Sequence, residues 1–242
     1  KFIAKNITQQ ITESQLAETI KNSRGRLLPG FIPYSAVRNI IQENQIKWKE
    51  PAINCLDGIY KIMKDLVCKA VKDIFSRFPN LVGNVRGKTL DLLEECRKQT
   101  AERINFMYQM ELNAHKFTLD EQTMIESKAK YLSELHQGVK DNNESPTDTL
   151  EVVASVMAYL KIAIKRYVDV ISMTIIHKFI DEFSKLVEEK LMESFILSND
   201  KDGSIDELVK EDDGTKYLRE KLLSHEKHLR EVLEKLVNFD GY

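Results

Sequence analysis

Apolar side chains recur at intervals of three and four residues along most of this chain, and this spacing decides its fold. A strict alternation of the two intervals is seen at Ile53, Leu56, Tyr60, Met63, Val67, Ala70 and Ile74. Such a repeat places a stripe of apolar side chains along one helix face, where it packs against another helix. Patterns typical of strands are nearly absent. The sequence therefore predicts an all-α fold.

Five helices are predicted, separated by segments rich in glycine, proline and polar residues. Pro51 falls inside the second helix, so we expect a kink or break at 47–51, because proline removes a backbone hydrogen bond and clashes with the preceding turn. "EDDGT" at 211–215 predicts an interruption of the last helix, and the β-branched run "VDVISMTII" permits a distortion of the fourth. Three helices would exceed 40 residues, and such a length spans roughly 60 Å or more. We therefore expect an elongated antiparallel four-helix bundle. The predicted helices are 2–22, 34–77, 84–137, 149–197 and 205–238.

The composition is that of a globular protein with a charged surface. Hydrophobic residues make up 42% of the 242 residues, charged residues make up 31%, and the net charge is −2. No overall field would attract nucleic acid or anionic lipid, so no nucleic-acid partner is predicted. Cys55, Cys68 and Cys96 lie in helical apolar patterns and are predicted to be buried free thiols. Free thiols, with neither a signal peptide nor an apolar run near the ~20 residues that span a bilayer, indicate a reducing, cytoplasmic location.

The stretch "LVGNVRGKTLDLL" at 81–93 is nearly a phosphate-binding loop. That motif needs four residues between its glycines so that successive N–H groups wrap the phosphates, but only three separate Gly83 from Gly87. It also needs a preceding strand, whereas "DIFSRFPN" predicts a helix end and a turn. Pro79, Gly83 and Gly87 are instead predicted to mark a loop that enters the third helix. A nucleotide enzyme that uses 83–89 is kept as the last alternative.

No other pattern predicts a reaction centre. His225 and His228 lie three residues apart in a charged helix, without a matching cluster of acids or cysteines for a metal. "SNDKDGSIDEL" at 198–208 resembles a calcium loop, but no Glu follows at the twelfth position. The carboxylates have the spacing of solvated helix faces. We therefore predict no catalytic, metal or cofactor residue in this chain, and its apolar seams indicate a role in association.

Several strings resemble one protein family. "SRGRLLPGFIPYSAV" (23–37), "IKWKEPAINCLDGI" (46–59) and "FMYQMELNAHKF" (106–117) resemble the stalk, or middle domain, of dynamin-superfamily large GTPases. "VMAYLKIAIKRYVDVISMTIIHKFI" (156–180) resembles their GTPase effector region. The strings are most similar to those of the myxovirus-resistance (Mx) proteins, and the resemblance covers essentially the whole chain.

The resemblance implies a stalk at 1–204 that self-associates into dimers, tetramers and rings or helical filaments. It implies that 205–242 holds the end of the stalk and a helix of a bundle signalling element, in which Arg219 falls. A GTPase domain with its GTP and Mg²⁺ would lie upstream in a longer parent protein, of which this chain would be a fragment without catalysis of its own. The stalk would couple GTP hydrolysis to mechanical or antiviral work. Its implied partners are further copies of itself, the GTPase domain and, in the parent, a membrane or a viral nucleoprotein.

The resemblance also implies residues of assembly contacts. Arg24, Gly25 and Arg26 would lie at one contact, where guanidinium groups on a glycine loop reach carboxylates of a neighbouring stalk. The alternative for this loop is a solvated basic turn. Met110 would lie on a second stalk–stalk surface, with a place in the core seam as its alternative. His177 stands where Mx stalks tend to carry an aromatic interface residue.

Departures from the family pattern keep other functions open. Mx stalks carry a long lysine-rich loop that serves membrane contact or viral recognition, whereas residues 138–148 are few and include only Lys140. Dynamin carries a pleckstrin-homology domain at that point, and none is present. A membrane-fission relative peripheral to membranes, without an antiviral role, is therefore one alternative. A helical adaptor or scaffold that binds partner helices is the alternative from another class.

Overall fold

The computed structural model describes residues 34–139, 147–196 and 208–239, and every regular element in these ranges is helical. The all-α prediction is confirmed. No helix in the described ranges is long and apolar enough to cross a membrane. In chain order the elements are α1 (Tyr34–Gln45), a 3-10 turn (Ile46–Trp48), α2 (Lys49–Phe75), α3 (Pro79–Asn113), α4 (Glu121–Val139), α5 (Thr147–Thr174), a π-helical segment (Ile175–Asp181), α6 (Glu182–Ile196) and α7 (Asp213–Phe239).

Some predictions fall outside the described residues. These are the first helix at 2–22, the loop with Arg24, Gly25 and Arg26, and nearly all of the stretch 198–208. The boundary at 204/205 lies there as well, so all of these stay predictions.

The chain divides into two compact units. The first contains the described residues up to Lys61 and those from Glu95 to Phe183. The second contains Ile62–Glu94 and the described residues from Ser184 onward. α2 and α3 each contribute to both units, because the division falls within these helices.

Half of the buried apolar side chains described in the first unit lie on α5. α4 packs antiparallel against it, and Lys161 Nζ donates a hydrogen bond to Ser127 Oγ at 3.2 Å. Elsewhere on α5, the ring of Tyr167 lies 5.4 Å from the ring of Trp48. A helix buried on several sides requires an apolar stripe wider than that of a surface helix. The buried side chains of α5 are Leu150, Val153, Ala154, Val156, Ala158, Tyr159, Leu160, Ala163, Ile164, Tyr167 and Ile171.

Pro51 lies in the first turn of α2. Residues 46–48 form a 3-10 turn and α2 begins at Lys49, so the predicted break at 47–51 is confirmed. Proline is tolerated in a first turn because the N–H groups there have no acceptor within the helix. The buried Trp48 lies on the 3-10 turn, so the break also anchors the largest side chain of the core.

The single helix predicted over 84–137 is wrong, because α3 ends at Asn113 and α4 begins at Glu121. Asp120 caps α4: its Oδ1 accepts a hydrogen bond from the N–H of Thr123 at 3.1 Å. The N–H of Asp120 donates in turn to Thr118 Oγ1 at 3.1 Å. A capping carboxylate satisfies an amide that has no partner in the first turn, and this stabilises the helix start.

The loop predicted at Pro79, Gly83 and Gly87 is also wrong. α3 begins at Pro79 and runs through both glycines, and a Cβ at either position would meet no neighbour within 4 Å. Inside a helix the N–H groups bond to carbonyls four residues earlier, so those of 83–89 cannot wrap a phosphate. This stretch is therefore not a phosphate-binding loop.

The helix predicted over 149–197 is confirmed as one helical run over 147–196, which contains a wider turn. In the π-helical segment, the N–H of Glu182 donates to the carbonyl of His177, five residues earlier. The segment overlaps the end of "VDVISMTII", the run for which a distortion is predicted. Residues 34–75 are likewise helical without a gap, so the prediction of three helices above 40 residues is wrong only for 84–137, where α3 ends at Asn113. Ile171, Ile175, Phe179 and Phe183 form a buried column along this part of the chain.

The second unit has a small core and an exposed last helix. Val67, Val71, Val85, Thr89 and Leu93 are buried there. The seam predicted along α2 is correct for Leu56 and Val67 but wrong for Ala70 and Ile74, which are exposed.

Leu208 is helical, residues 209–212 are not, and α7 begins at Asp213. Asp212 accepts a hydrogen bond from the N–H of Thr215 at 3.3 Å and caps α7, so the interruption predicted at "EDDGT" is confirmed. The predicted apolar face of α7 is exposed to solvent at Leu218, Leu222, Leu229, Leu233 and Leu236.

The cysteine prediction holds in part. All three thiols are free, but only Cys96 is buried, while Cys55 and Cys68 are half-buried. Desolvation by the surrounding core raises the pKa of the Cys96 thiol, and burial likewise raises the pKa of Cys55.

Candidate self-association surface

The second half of α3 and the second half of α5 enclose an open groove in the first unit. One cavity of about 530 Å³ is lined by Met107, Met110, Glu111, Ala114, His115, Phe117, Tyr159, Arg166, Tyr167 and Val170. A second cavity of about 650 Å³ is lined by Arg103, Met107, Val170, Met173, Thr174, His177 and Lys178. The two cavities share Met107 and Val170 and therefore form one continuous surface, which we call the α3–α5 groove.

The groove displays large apolar side chains to solvent. Met110 is 47% exposed and Phe117 is 63% exposed, and Met173 on the opposite wall is exposed as well. Single apolar residues on a surface are ordinary, but a contiguous group of them marks a site of interaction. Methionine adapts its shape to a partner because its side chain is unbranched and flexible. The groove is therefore suited to an apolar protein surface.

The helical period of α3 explains why Met110 is exposed. Ile104 and Tyr108 face the core and are buried, so the positions that flank them point outward. Phe106 and Met110 are four residues apart on this outer face. The alternative that Met110 is a core residue is wrong.

An ion pair holds the end of α3 against α5. Arg166 donates two hydrogen bonds to Glu111, from Nε to Oε1 at 2.7 Å and from Nη2 to Oε2 at 2.9 Å. The hydrogen bonds that Arg166 donates to Glu111 outweigh desolvation and raise the pKa of the guanidinium, so Arg166 stays charged. Two parallel bonds fix both distance and orientation. This wall of the groove is therefore rigid, and its two charges neutralise each other.

Lys116 anchors the chain where α3 ends. Its Nζ donates to Gln45 Oε1 at 2.7 Å and to the carbonyls of Glu111 at 2.5 Å and Leu112 at 2.9 Å. The last carbonyls of a helix accept no hydrogen bond from an N–H of the same helix, and a cation there is favoured by the helix dipole. Desolvation lowers the pKa of Lys116, although Glu111 opposes this shift. Lys116 thereby positions the segment that carries His115 and Phe117.

His177 lies on the π-helical segment at the other end of the groove. Its side chain is 72% exposed, and its Nδ1 lies 3.7 Å from Asp181 Oδ2. The neighbouring Lys178 Nζ is paired with Glu182 Oε2 at 2.6 Å. The groove thus brings together Met110 and His177, which are distant in sequence.

Arg219 belongs to the second unit. Its Nη2 lies 2.8 Å from Glu211 Oε2, and Glu211 also pairs with Arg77. Although partial desolvation raises the pKa of Glu211, hydrogen bonds from Arg77 and Arg219 lower it overall. This three-residue cluster ties the start of α7 to the turn between α2 and α3.

Sequence reasoning missed Phe117 and Met173 as members of the groove. Phe117 follows the end of α3 at Asn113, which was not predicted. Met173 lies on a different helix, so the period of α3 could not select it. No group of three metal-binding side chains occurs among the residues that the structure describes, and His225 and His228 are exposed.

Comparisons with known proteins bear on the whole chain. Two family models match it, the dynamin central region over residues 1–127 and the dynamin GTPase effector domain over residues 144–239. The chain is similar to the interferon-induced GTP-binding protein Mx3 of Oncorhynchus mykiss, with 24% identity over 249 residues. It is also similar to Mx2 of Ictalurus punctatus (25% over 238 residues) and to MxB of Danio rerio (25% over 227 residues). These alignments cover 97%, 94% and 89% of this chain but only 38%, 37% and 35% of the relatives. The chain therefore spans less than two fifths of the length of the curated relatives it matches.

Proposed function

This chain belongs to the dynamin superfamily, and from that premise we propose that it is a self-assembling helical stalk that binds further copies of itself through the α3–α5 groove. The observation that carries the proposal is the contiguous exposed apolar surface around Met110 and His177. The resemblance to Mx stalks selects the same two positions, although His177 departs there from the aromatic residue that Mx stalks tend to carry. An isologous interface needs one self-complementary patch, and an open apolar groove with internally paired charges meets this need.

Further contacts would build larger assemblies. Arg24 and Arg26 form a second contact with carboxylates of a neighbouring stalk, which would extend dimers to tetramers and then to rings or filaments. The catalytic activity resides in a GTPase domain of the parent, which binds GTP and Mg²⁺. Arg219, paired with Glu211 at the start of α7, relays the nucleotide state to the stalk. The assembly acts in the cytoplasm, where it does mechanical or antiviral work on a membrane or a viral nucleoprotein.

Met110→Asp is the direct test of the groove. A carboxylate buried in an apolar interface costs several kcal/mol, so we expect dimerisation to weaken on the order of 100-fold or more. Sedimentation of this chain over a wide concentration range measures the dissociation constant. Met192→Asp is the matched control, because Met192 is 57% exposed and lies outside the groove. We expect it to associate as the unmodified chain does.

Each outcome decides between functions. A monomer at every concentration would overturn self-assembly and favour the helical adaptor. Equal weakening by both substitutions would remove the groove from the interface. An Arg24→Ala/Arg26→Ala chain should still form dimers but fewer larger species, and an unchanged size distribution would refute the second contact.

A further inference from the structure

We infer that Arg103 orients the second copy through an ion pair with Asp169 of that copy. This inference rests on the proposed self-association and adds the residues that fix how the two copies meet. Arg103 is exposed on α3 and lines the second cavity with Met107 and Val170. Both of these apolar residues also line the first cavity, so Arg103 lies near the centre of the α3–α5 groove. A second copy that fills the groove therefore contacts Arg103.

Arg103 differs from the other arginine and lysine side chains that line the groove, because it has no carboxylate partner. Arg166 is bonded to Glu111, and Lys178 is paired with Glu182. Arg103 forms no ion pair with any residue that the structure describes. Removing water from a cation without a carboxylate partner is unfavourable. A second copy that covers the groove must therefore supply a carboxylate at this point.

The Arg103 side chain is already positioned for such a bond. Its guanidinium carbon lies 5.2 Å from the centre of the Phe106 ring, which is one turn further along α3. A guanidinium that stacks on an aromatic ring keeps the N–H donors at its edge available for a carboxylate. Two parallel hydrogen bonds to one carboxylate fix distance and orientation together. The partner group that fits Arg103 is therefore an aspartate or glutamate side chain.

Asp169 is the carboxylate that can supply this bond. It is exposed on α5, next to Val170 and one turn before Met173, and it forms no ion pair with any described residue. Val170 and Met173 line the same cavity as Arg103. Residues four apart on a helix are neighbours on its surface, so Asp169 lies at the α5 rim of that cavity.

The other carboxylates that border the groove in the described residues are excluded by their contacts or by symmetry. Glu111 is already bonded to a guanidinium, and Asp181 already lies 3.7 Å from an imidazole nitrogen. Glu102 directly precedes Arg103. In an isologous contact, a pair between Arg103 and Glu102 of the second copy would bring both Arg103 side chains close to the axis, where like charges repel. Asp169 lies on a different helix, so its two symmetric pairs with Arg103 are kept apart.

Symmetry makes this pair decide the orientation of the dimer. An isologous contact repeats every pair, so Arg103 of each copy bonds to Asp169 of the other. α3 of one copy then lies over α5 of the other. An orientation that places α3 over α3 loses both ion pairs and is therefore disfavoured.

Charge reversal tests the pair. Arg103→Glu replaces two attractions by two repulsions, and Asp169→Lys does the same from the other side. We expect either change to raise the dissociation constant of this chain at least about tenfold at about 0.1 M salt, as measured by sedimentation. The difference should shrink at about 1 M salt, because the screening length falls to about 3 Å. Lys98→Glu is the matched control: it makes the same change in net charge, is exposed on α3 and lines neither cavity.

A mixture of the two variants shows whether the pair forms between copies. Each variant is used at a concentration where it alone is monomeric. A dimer of one Arg103→Glu chain with one Asp169→Lys chain contains two favourable pairs, one of them with reversed charges. We therefore expect the mixture to form heterodimers with a dissociation constant near that of the unmodified chain. The fluorescence of Trp48, the sole tryptophan and buried in the first unit, reports whether each variant is folded.

The outcomes separate the inference from the proposed function. A monomer of the unmodified chain at every concentration would overturn the self-association and the inference with it. Unchanged association of both variants would overturn the inference and leave the self-association standing. Equal weakening by Lys98→Glu would assign the effect to net charge, and a mixture that stays monomeric would refute the pairing of Arg103 with Asp169.

Discussion

Lys116 should be one of the most important single side chains for the stability of the first unit, and Lys116→Met tests this. The substitution keeps the aliphatic stem and removes the ammonium group. It deletes three hydrogen bonds, to Gln45 Oε1 and to the carbonyls of Glu111 and Leu112. Gln45 is fully buried, and its Nε2 already has no partner. After the substitution the whole buried amide of Gln45 would be unsatisfied.

The expected loss can be worked from these contacts. A hydrogen bond from a charged group contributes about 1.5–3 kcal/mol, and a buried polar group left without a partner costs about 1–3 kcal/mol. A cation at a helix C-terminus adds about 0.3–1 kcal/mol. Lys116 is only half-buried, so water takes over part of the carbonyl contacts. We expect the free energy of unfolding to fall by about 2–4 kcal/mol.

Urea unfolding followed by Trp48 fluorescence measures this loss, because Trp48 is the only tryptophan and is buried in the first unit. Gln45→Leu completes a double-mutant cycle. In the Lys116→Met background it removes the unsatisfied amide, so the pair should be less destabilised than the sum of the singles by about 1–3 kcal/mol. Lys130→Met, on the exposed face of α4, should change stability by less than about 0.5 kcal/mol. Strict additivity, or a Lys116→Met effect as small as that of Lys130→Met, would refute the reasoning.

Three further predictions concern other sites. Burial raises the pKa of Tyr167 above its usual value, so the stability it contributes is full below about pH 10 and is lost as the pH rises. Urea titrations should therefore show that the free energy of unfolding of Tyr167→Phe falls less steeply with alkaline pH. An unchanged pH dependence of this free energy would contradict the prediction. Glu211→Gln should speed hydrogen exchange at the start of α7 several-fold, because it weakens the pairs with Arg77 and Arg219; exchange at the native rate would show that the cluster does not hold the helix. Cys96 is buried and its thiol pKa is raised by desolvation, so peptide mass spectrometry should find it modified more slowly than the half-buried Cys68, and the reverse order would be inconsistent with the packing.

The helices were predictable from spacing, but their ends were not. The apolar period continues past Asn113, and it therefore hides the break between α3 and α4. The signal that did exist was local: Asp120 and Thr123 have the spacing of a helix cap. Gly83 and Gly87 had the opposite effect, because they led to the prediction of a loop where the helix continues. A glycine on an exposed helix face weakens the helix only modestly, and the rest of α3 outweighs that loss.

The groove could not be predicted from periodicity alone. Met110 and His177 lie on different helices, 67 residues apart in the chain. The spacing of either helix says which face is apolar but not which faces meet. The resemblance selected both residues one by one, and only the packing of α3 against α5 shows that they share one surface. The polar contacts of Lys116 depend on a helix break that was not predicted.

The π-helical segment corrects the phase of a helix. Ile171, Ile175, Phe179 and Phe183 are spaced by four residues, and four residues of α-helix advance by roughly 40° beyond a full turn. Over three such steps the side-chain direction would rotate by about a third of a turn around the helix axis, and Phe183 would point toward solvent. The wider turn at Ile175–Asp181 rotates by a smaller angle per residue, and this compensates part of that rotation. One straight column of large side chains can thus continue to Phe183, while the turn that straightens it displays His177 on the opposite side.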